Sequence, residues 1–207
     1  MWYSIVIAAF AGYLLGNLNG AICISAWVAH EDVRTKGSGN AGLTNFLRNY
    51  GGWSALLVIL MDIGKTVAAC LVGGALLERY GCGLEGRMLG GVAVSLGHDF
   101  PVFYGFKGGK GILSGAAVAF MIDWRIGVLL VLVFLVSVLL TRYVSLGSIL
   151  GAAGFGVGFV TLYWNRPWVA VGGAFVALLA IFMHRANVKR LIKGTENKFT
   201  IKKKEKS

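Results

Sequence analysis

Seven apolar runs, near residues 4–29, 53–77, 84–98, 110–123, 126–141, 145–164 and 168–183, fill the chain almost without interruption from Ser4 to Met183. Backbone amides and carbonyls cannot be left unpaired in lipid, so apolar runs in such succession fold as membrane helices. The breaks between them are too short for a soluble domain. Charged residues form only 14% of the chain, where a soluble domain would carry about a quarter, and the mean hydropathy is +0.72. The expectation is an all-α integral membrane protein with about seven transmembrane helices. A single polytopic domain would cover residues 1–193, and a basic tail residues 194–207. The third, fourth and fifth runs fall short of the ~20 residues a full crossing needs. The third and fourth either cross or form a re-entrant pair, and both arrangements leave every other loop on the same side. All six tryptophans fall at or near run ends, as an interfacial aromatic belt requires.

Lysine and arginine set the expected orientation. With the N-terminus outside, the inner segments carry fifteen of them and the outer segments four, with Lys65 alone inside a run. The positive-inside rule then places the C-terminus in the cytoplasm. The formal net charge is +11, and nine of the 24 residues from His184 to Ser207 are Lys or Arg. Next to a final span this basic run matches the anionic cytoplasmic leaflet, so the expected partner is membrane lipid and not nucleic acid. Cys23, Cys70 and Cys82 have no metal-ligand or CxxC spacing and read as packing residues, so neither a metal nor a cofactor is expected. The first run, with Asn17 and Asn19, reads as a mature span and not as a cleavable signal. No internal repeat of the transporter kind is evident.

Against this background four polar stretches stand out: GSGNAGLTNFLR (37–48), GHDFPVFYGFKGGKG (97–111), TRYVSLGS (141–148) and HRANVKRLIKGTE (184–196). All four fall on the expected cytoplasmic side, so they are expected to converge on one site. In the first, Leu43, Phe46, Leu47 and Tyr50 recur at helical spacing, which predicts a short helix from near Asn40 to Gly51-Gly52. Its other face would carry Thr44, Asn45 and Arg48, with Ser38-Gly39-Asn40 leading into an N-terminus that favours an anion. In the second, glycines would let the backbone approach a ligand and turn amides inward while Lys107 and Lys110 add charge. The stretch lacks the Walker A glycine and Ser/Thr, so no nucleoside triphosphate is implied. His98-Asp99 reads equally as a base with its orienting acid and as a helix-end histidine bonded to backbone. Ser145 suits a helix N-cap. His184 and Asn187 share a helical face. Asp62 and Lys65, at i and i+3 inside a run, read best as a mutually neutralising structural pair, although ions at that depth are functional suspects. There is no GxSxG elbow, no HExxH, no paired carboxylates and no His-x4-Asp. The expected site is rich in anion binders and poor in nucleophiles.

Together, SGNAGLTNFLR, GHDFPVFYGFKGGKG and HRANVKRLIKGTE resemble the three cytoplasmic motifs of the bacterial acyl-phosphate:glycerol-3-phosphate acyltransferases, the PlsY family, in order over nearly the whole chain. The resemblance implies acyl transfer from acyl phosphate to the sn-1 hydroxyl of glycerol 3-phosphate, giving lysophosphatidic acid without acyl-CoA or metal. It places the site on the cytoplasmic face of the bacterial inner membrane. The pattern carries over onto Ser38, Asn40, Thr44, Asn45, Arg48, His98, Lys107, Gly108, Gly109, Lys110, Ser145, His184, Asn187 and Glu196. The expected glycerol-3-phosphate ligands are Ser38, Arg48, Lys107, Ser145, His184 and Asn187, of which Lys107, Ser145, His184 and Asn187 are the catalytic candidates. Gly39, Asn40, Thr44, Asn45, Gly108, Gly109 and Lys110 would hold the acyl-phosphate head. The hydroxyl proton could pass to His184, to His98 or to a substrate phosphate oxygen. A monomer is expected to suffice. A small transporter or exchanger of phosphorylated solutes is the alternative, against which stand the missing repeats and the one-sided polar segments.

Overall fold

The computed structural model describes residues 1–199, so the last eight residues of the basic tail lie outside the described part. Among the described residues there is no strand. The described residues form ten α-helices: α1 (Trp2–Gly16), α2 (Gly20–Ala29), α3 (Leu43–Asn49), α4 (Ser54–Glu78), α5 (Gly83–Asp99), α6 (Ile112–Ile122), α7 (Trp124–Thr141), α8 (Val144–Leu162), α9 (Pro167–Met183) and α10 (Arg185–Ile192). Each apolar run becomes helix, and the first becomes two. Four stretches are long and apolar enough to cross a membrane: Trp2–Ala29, Ser54–Glu78, Trp124–Thr141 and Val144–Leu162. A fifth joins them if α9 and α10, bent by 55° at His184, count as one span. α6, with 11 residues, is about 16 Å long, half the ~30 Å thickness of a hydrocarbon core.

Without a hydrophobic force between helices in lipid, association rests on close packing of small residues. α5 is built that way. A Cβ on Gly86 or Gly73 would collide with the facing helix's backbone carbonyl where α5 meets α4, and one on Gly97 would collide with Tyr13 of α1. The second half of the bundle packs larger side chains, among them Met88, Val118, Phe155, Phe159 and Val176. A smaller cluster of Ile22, Val33, Phe46 and Val58 seats the loop after α2 and the short α3 on the bundle. The six tryptophans are all exposed, at 66–80% of their surface, and sit at helix ends.

Loop-to-loop contacts sort the connections into two ends. At one, Met1 meets Tyr80, Arg79 meets Ser4, Arg166 meets Glu85, and Tyr163 meets Asp123. At the other, Arg34 meets Tyr104 and Lys107, Lys110 meets Asn187, and Ser145 meets Glu196. These are the same two groups that the Lys/Arg count separates.

The break between α1 and α2 has a specific cause. Asn17, Leu18 and Asn19 interrupt the helix, and Lys65 of α4 inserts its ammonium into the gap. Its Nζ lies 3.2 Å from the Gly16 carbonyl, 3.0 Å from the Leu18 carbonyl and 2.8 Å from both Asp62 Oδ1 and His98 Nδ1. Asp62 Oδ1 also accepts the Gly20 N–H, 3.1 Å away, at the start of α2. The expected structural pair is there, and it supplies the polar groups that an unwound membrane segment lacks.

Candidate active site

The four polar stretches converge at one end of the bundle. The centre is a chain of hydrogen bonds through Glu196. Its Oε1 accepts from Ser145 Oγ and from Asn187 Nδ2, each at 2.8 Å, and its Oε2 accepts from Arg190 Nε at 2.6 Å. Asn187 Oδ1 accepts from the Lys110 ammonium. Ser145 lies at the start of α8, Asn187 and Arg190 share one face of α10, and Glu196 reaches back after Gly194, whose φ of 67° turns the chain. Residues 194–199 therefore belong to the folded body, and Phe199 N–H bonds the Arg142 carbonyl at 2.7 Å.

Charge around this network is unbalanced. Burial pushes the Lys110 ammonium down to about 8, repulsion from Arg190 and Arg48 adds to the shift, and Glu196 only partly opposes it. Burial raises the Glu196 carboxyl, but its bonds from Asn187, Ser145 and Arg190 outweigh that and hold it below the ordinary carboxylate value. Lys110 thus feels two further cations against one carboxylate, an arrangement that attracts an anion. Arg190 went unrecognised in the sequence. Its signal was its place at i+3 from Asn187.

His184 sits at the bend between α9 and α10, buried, within the field of Lys110 and Glu196. Its Nδ1 is 2.8 Å from the Ala180 carbonyl oxygen, which can only accept, so Nδ1 carries the proton and Nε2 keeps its lone pair. Next to the network opens an apolar cleft between α6, α7, α8 and α9, walled by Gly111, Phe134, Ser148, Phe155, Val176 and Ala180. Ser148 and Ala180 in its wall lie one helical turn from Ser145 and His184.

Several expectations are corrected. The Gly108 and Gly109 amides do not turn toward a ligand. They donate to the Asp99 and His98 carbonyls, each at 3.1 Å, closing the C-terminal end of α5. Both positions are glycine because a Cβ at Gly108 would strike the His98 carbonyl and one at Gly109 the His98 ring. His98 is not oriented by Asp99 either: its Nδ1 accepts from Lys65, and its Nε2 edge abuts Gly109. Asp99 Oδ1 is buried with no partner among the described residues.

In the first loop, α3 starts at Leu43 and ends at Asn49, so Ser38-Gly39-Asn40 do not open the helix as expected. Asn45 is buried, not on a polar face, and Leu47 is exposed in its place. The Asn45 amide donates to the carbonyls of Val33, Lys36 and Asn40, each at 3.0 Å, and its Oδ1 accepts the Ser38 N–H at 2.9 Å. Asn45 thus staples the loop and has no polar atom to offer a ligand. The Gly39 N–H is bonded too, to the Lys36 carbonyl. The side chains of Ser38, Thr44, Arg48 and Lys107 are exposed and make no hydrogen bond among the described residues. Finally, Lys110 and Asn187, expected in separate subsites, touch one another, so the two anion positions share a wall.

The chain is similar to proteins of known kind over nearly its full length. The sequence profile described as glycerol-3-phosphate acyltransferase matches residues 6–194. Curated glycerol-3-phosphate acyltransferases are similar over nearly the full length. One from Thermoanaerobacter sp. (strain X514) is 40% identical over 193 residues, covering 93% of this chain and 94% of its own. One from Clostridioides difficile (strain 630) is 36% identical over 202 residues, covering 97% and 98%. Among solved structures, the glycerol 3-phosphate form of PlsY, an integral membrane glycerol 3-phosphate acyltransferase, superposes with a TM-score of 0.83 at 32% identity, covering 95% of this chain and 96% of that one. Its lysophosphatidic acid form gives 0.81 at 31% identity, with the same coverage.

Proposed function

This chain belongs to the glycerol-3-phosphate acyltransferase family, and we propose that it moves a fatty acyl group from acyl phosphate to the sn-1 hydroxyl of glycerol 3-phosphate, giving lysophosphatidic acid and inorganic phosphate. The observation that carries this reading is the gathering of cations at Lys110, which feels both Arg190 and Arg48 against the one carboxylate of Glu196, beside an apolar cleft. Both substrates are phosphates and one has a long apolar chain, so a polycationic rim above a greasy slot suits both. The cleft would take the acyl chain, with Lys110 beside the acyl-phosphate head. Ser145, His184, Asn187, Lys107, Arg48 and Ser38 would surround glycerol 3-phosphate.

Acyl phosphate is a mixed anhydride with a good leaving group, so alignment and charge neutralisation supply most of the catalysis. The glycerol oxygen attacks the acyl carbon directly, and the C–O bond to phosphate breaks with its electron pair leaving on phosphate. His184 Nε2, with a free lone pair, is the better placed proton acceptor. His98 is unsuited, because its Nδ1 is occupied by Lys65 and its Nε2 edge by Gly109. No covalent acyl-enzyme and no acyl-CoA enter this scheme.

We place the site on the cytoplasmic face of the bacterial inner membrane, with the N-terminus outside, about seven membrane helices of which α5 and the short α6 either cross or form a re-entrant pair, and a monomer as the working unit. The support is that the end carrying most Lys and Arg is also the end carrying the site. A transporter reading would draw on the broken first span, since such breaks bind ions in transporters. Here Lys65 already occupies the freed carbonyls. Purified protein in detergent, given long-chain acyl phosphate, glycerol 3-phosphate and a chelator, should release lysophosphatidic acid and phosphate. Turnover with acyl-CoA alone would refute the donor assignment, and no turnover with acyl phosphate would refute the reaction.

A further inference from the structure

We propose that Arg34, braced by Asp32, is a positioning residue that clamps the turn before Lys107 and so aims the Lys107 ammonium at glycerol 3-phosphate. The turn needs holding. Gly105 has φ of 64° and Phe106, which has a Cβ, has φ of 59°. A bulky residue in the left-handed region is an outlier that persists only when its surroundings over-determine it. The Phe106 side chain does not do this, since it is 58% exposed. Backbone bonds hold part of it, Phe106 N–H to the Pro101 carbonyl at 2.9 Å and Lys107 N–H to the Tyr104 carbonyl at 3.4 Å. Arg34 ties its two flanks together: its Nη1 donates to the Tyr104 carbonyl at 2.7 Å and to the Lys107 carbonyl at 3.0 Å, one on each side of Phe106.

The guanidinium is itself pinned. Its Nε lies 3.0 Å from each Asp32 carboxylate oxygen, and its Nη2 2.7 Å from Oδ2. The same Asp32 accepts the Arg34 N–H at 2.9 Å, capping the turn Val33–Thr35. One edge of the planar fork thus grips a carboxylate while a terminal nitrogen reaches two carbonyls of the other loop, a geometry that a lysine ammonium cannot reproduce. Lys107 has no side-chain partner of its own among the described residues, so the backbone alone decides where its charge points. The clamp rests on the reading above that Lys107 binds phosphate. Arg34 is not placed in contact with substrate.

The test is steady-state kinetics of purified variants with acyl phosphate and varied glycerol 3-phosphate. R34Q should raise KM at least about tenfold while kcat changes less than about threefold, since binding is lost and not chemistry. R34K should not restore it. F106G alone should stay within about twofold of wild type, because glycine takes a left-handed φ freely. Adding F106G to R34Q should recover most of the KM. A merely structural arginine would lower thermal stability with no such recovery. A double variant no better than R34Q, or an unchanged KM in R34Q while K107A raises it, would overturn the clamp. If K107A leaves KM unchanged, the phosphate assignment of Lys107 fails instead. The clamp is then read from chymotryptic cleavage after Phe106, expected to be faster in R34Q; an unchanged rate would overturn it.

Discussion

Replacing Gly109 by alanine separates a glycine kept for ligand approach from one kept for packing. A methyl there would fall on the Nε2 edge of His98 and 2.9 Å from the Ala41 carbonyl oxygen. His98 cannot yield easily. Its Nδ1 is held 2.8 Å from Lys65, and the neighbouring Gly97 is pressed against the Tyr13 backbone of α1. Overpacking at a site unable to relax costs about 1–3 kcal/mol. For a chain of this size that lowers Tm by roughly 2–4 °C per kcal/mol, so a fall of about 2–12 °C is expected. The part of the strain relieved by pushing the loop outward carries Lys110 away from Asn187. A shift of ~1 Å in such a group can cost about a hundredfold in rate, so at least a tenfold loss of acyl transfer should accompany the lower Tm. Thermal unfolding and initial rates in detergent report both. Gly64→Ala is the control: its position on α4 is exposed and nothing lies within 4 Å of the added Cβ, so both measurements should stay near wild type. A Gly109→Ala protein with unaltered Tm and unaltered rate would show that the His98 contact is not the reason for the glycine.

Lys65→Met should leave Asp62 buried and unpaired and free the Gly16 and Leu18 carbonyls, costing about 3–5 kcal/mol in detergent unfolding; a loss under about 1 kcal/mol would rule out the bridging role. Lys110 ionises at about 8, against an ordinary 10.5, so affinity for the phosphate substrates should fall as pH rises through about 8. In Lys110→Arg that fall should move to higher pH, and an identical profile would discount Lys110. The unfolded chain binds the Lys110 proton up to a higher pH than the folded one, so this residue's contribution makes stability rise with pH between about 8 and 10.5. Finally, on a background lacking Cys23, Cys70 and Cys82, a cysteine at Thr35 should react in intact cells only with a membrane-permeant thiol reagent, and one at Trp124 with an impermeant reagent. Reversed labelling would invert the orientation and remove the cytoplasmic site.

Lipid leaves the backbone few options, and for that reason the helices, the exposed tryptophans at their ends and the gathering of four polar stretches at one end were all legible in the linear chain. Spacing alone also paired Asp62 with Lys65. It could not foresee that the same ammonium would bridge a broken α1–α2 span and orient His98, because those partners come from helices distant in sequence. The diglycine shows the limit most sharply. Glycines that let a ligand approach and glycines that let a helix end approach look the same in a sequence, and only the facing atoms of His98, Asp99 and Pro101 tell them apart. Asn45 was assigned to the polar face of a helix by periodicity, but a loop of irregular carbonyls needed donors more than a ligand did, and the fold buried it. In the linear chain Arg190 and Arg34 are only two of the fifteen basic residues that count toward the inner side. Each acquired its role from a group brought beside it by folding: Glu196 returning after Gly194 for the one, the Tyr104 and Lys107 carbonyls for the other. Local sequence specifies which groups want partners. Which partner each one gets is a matter of helix packing, because the satisfying atoms lie on other segments.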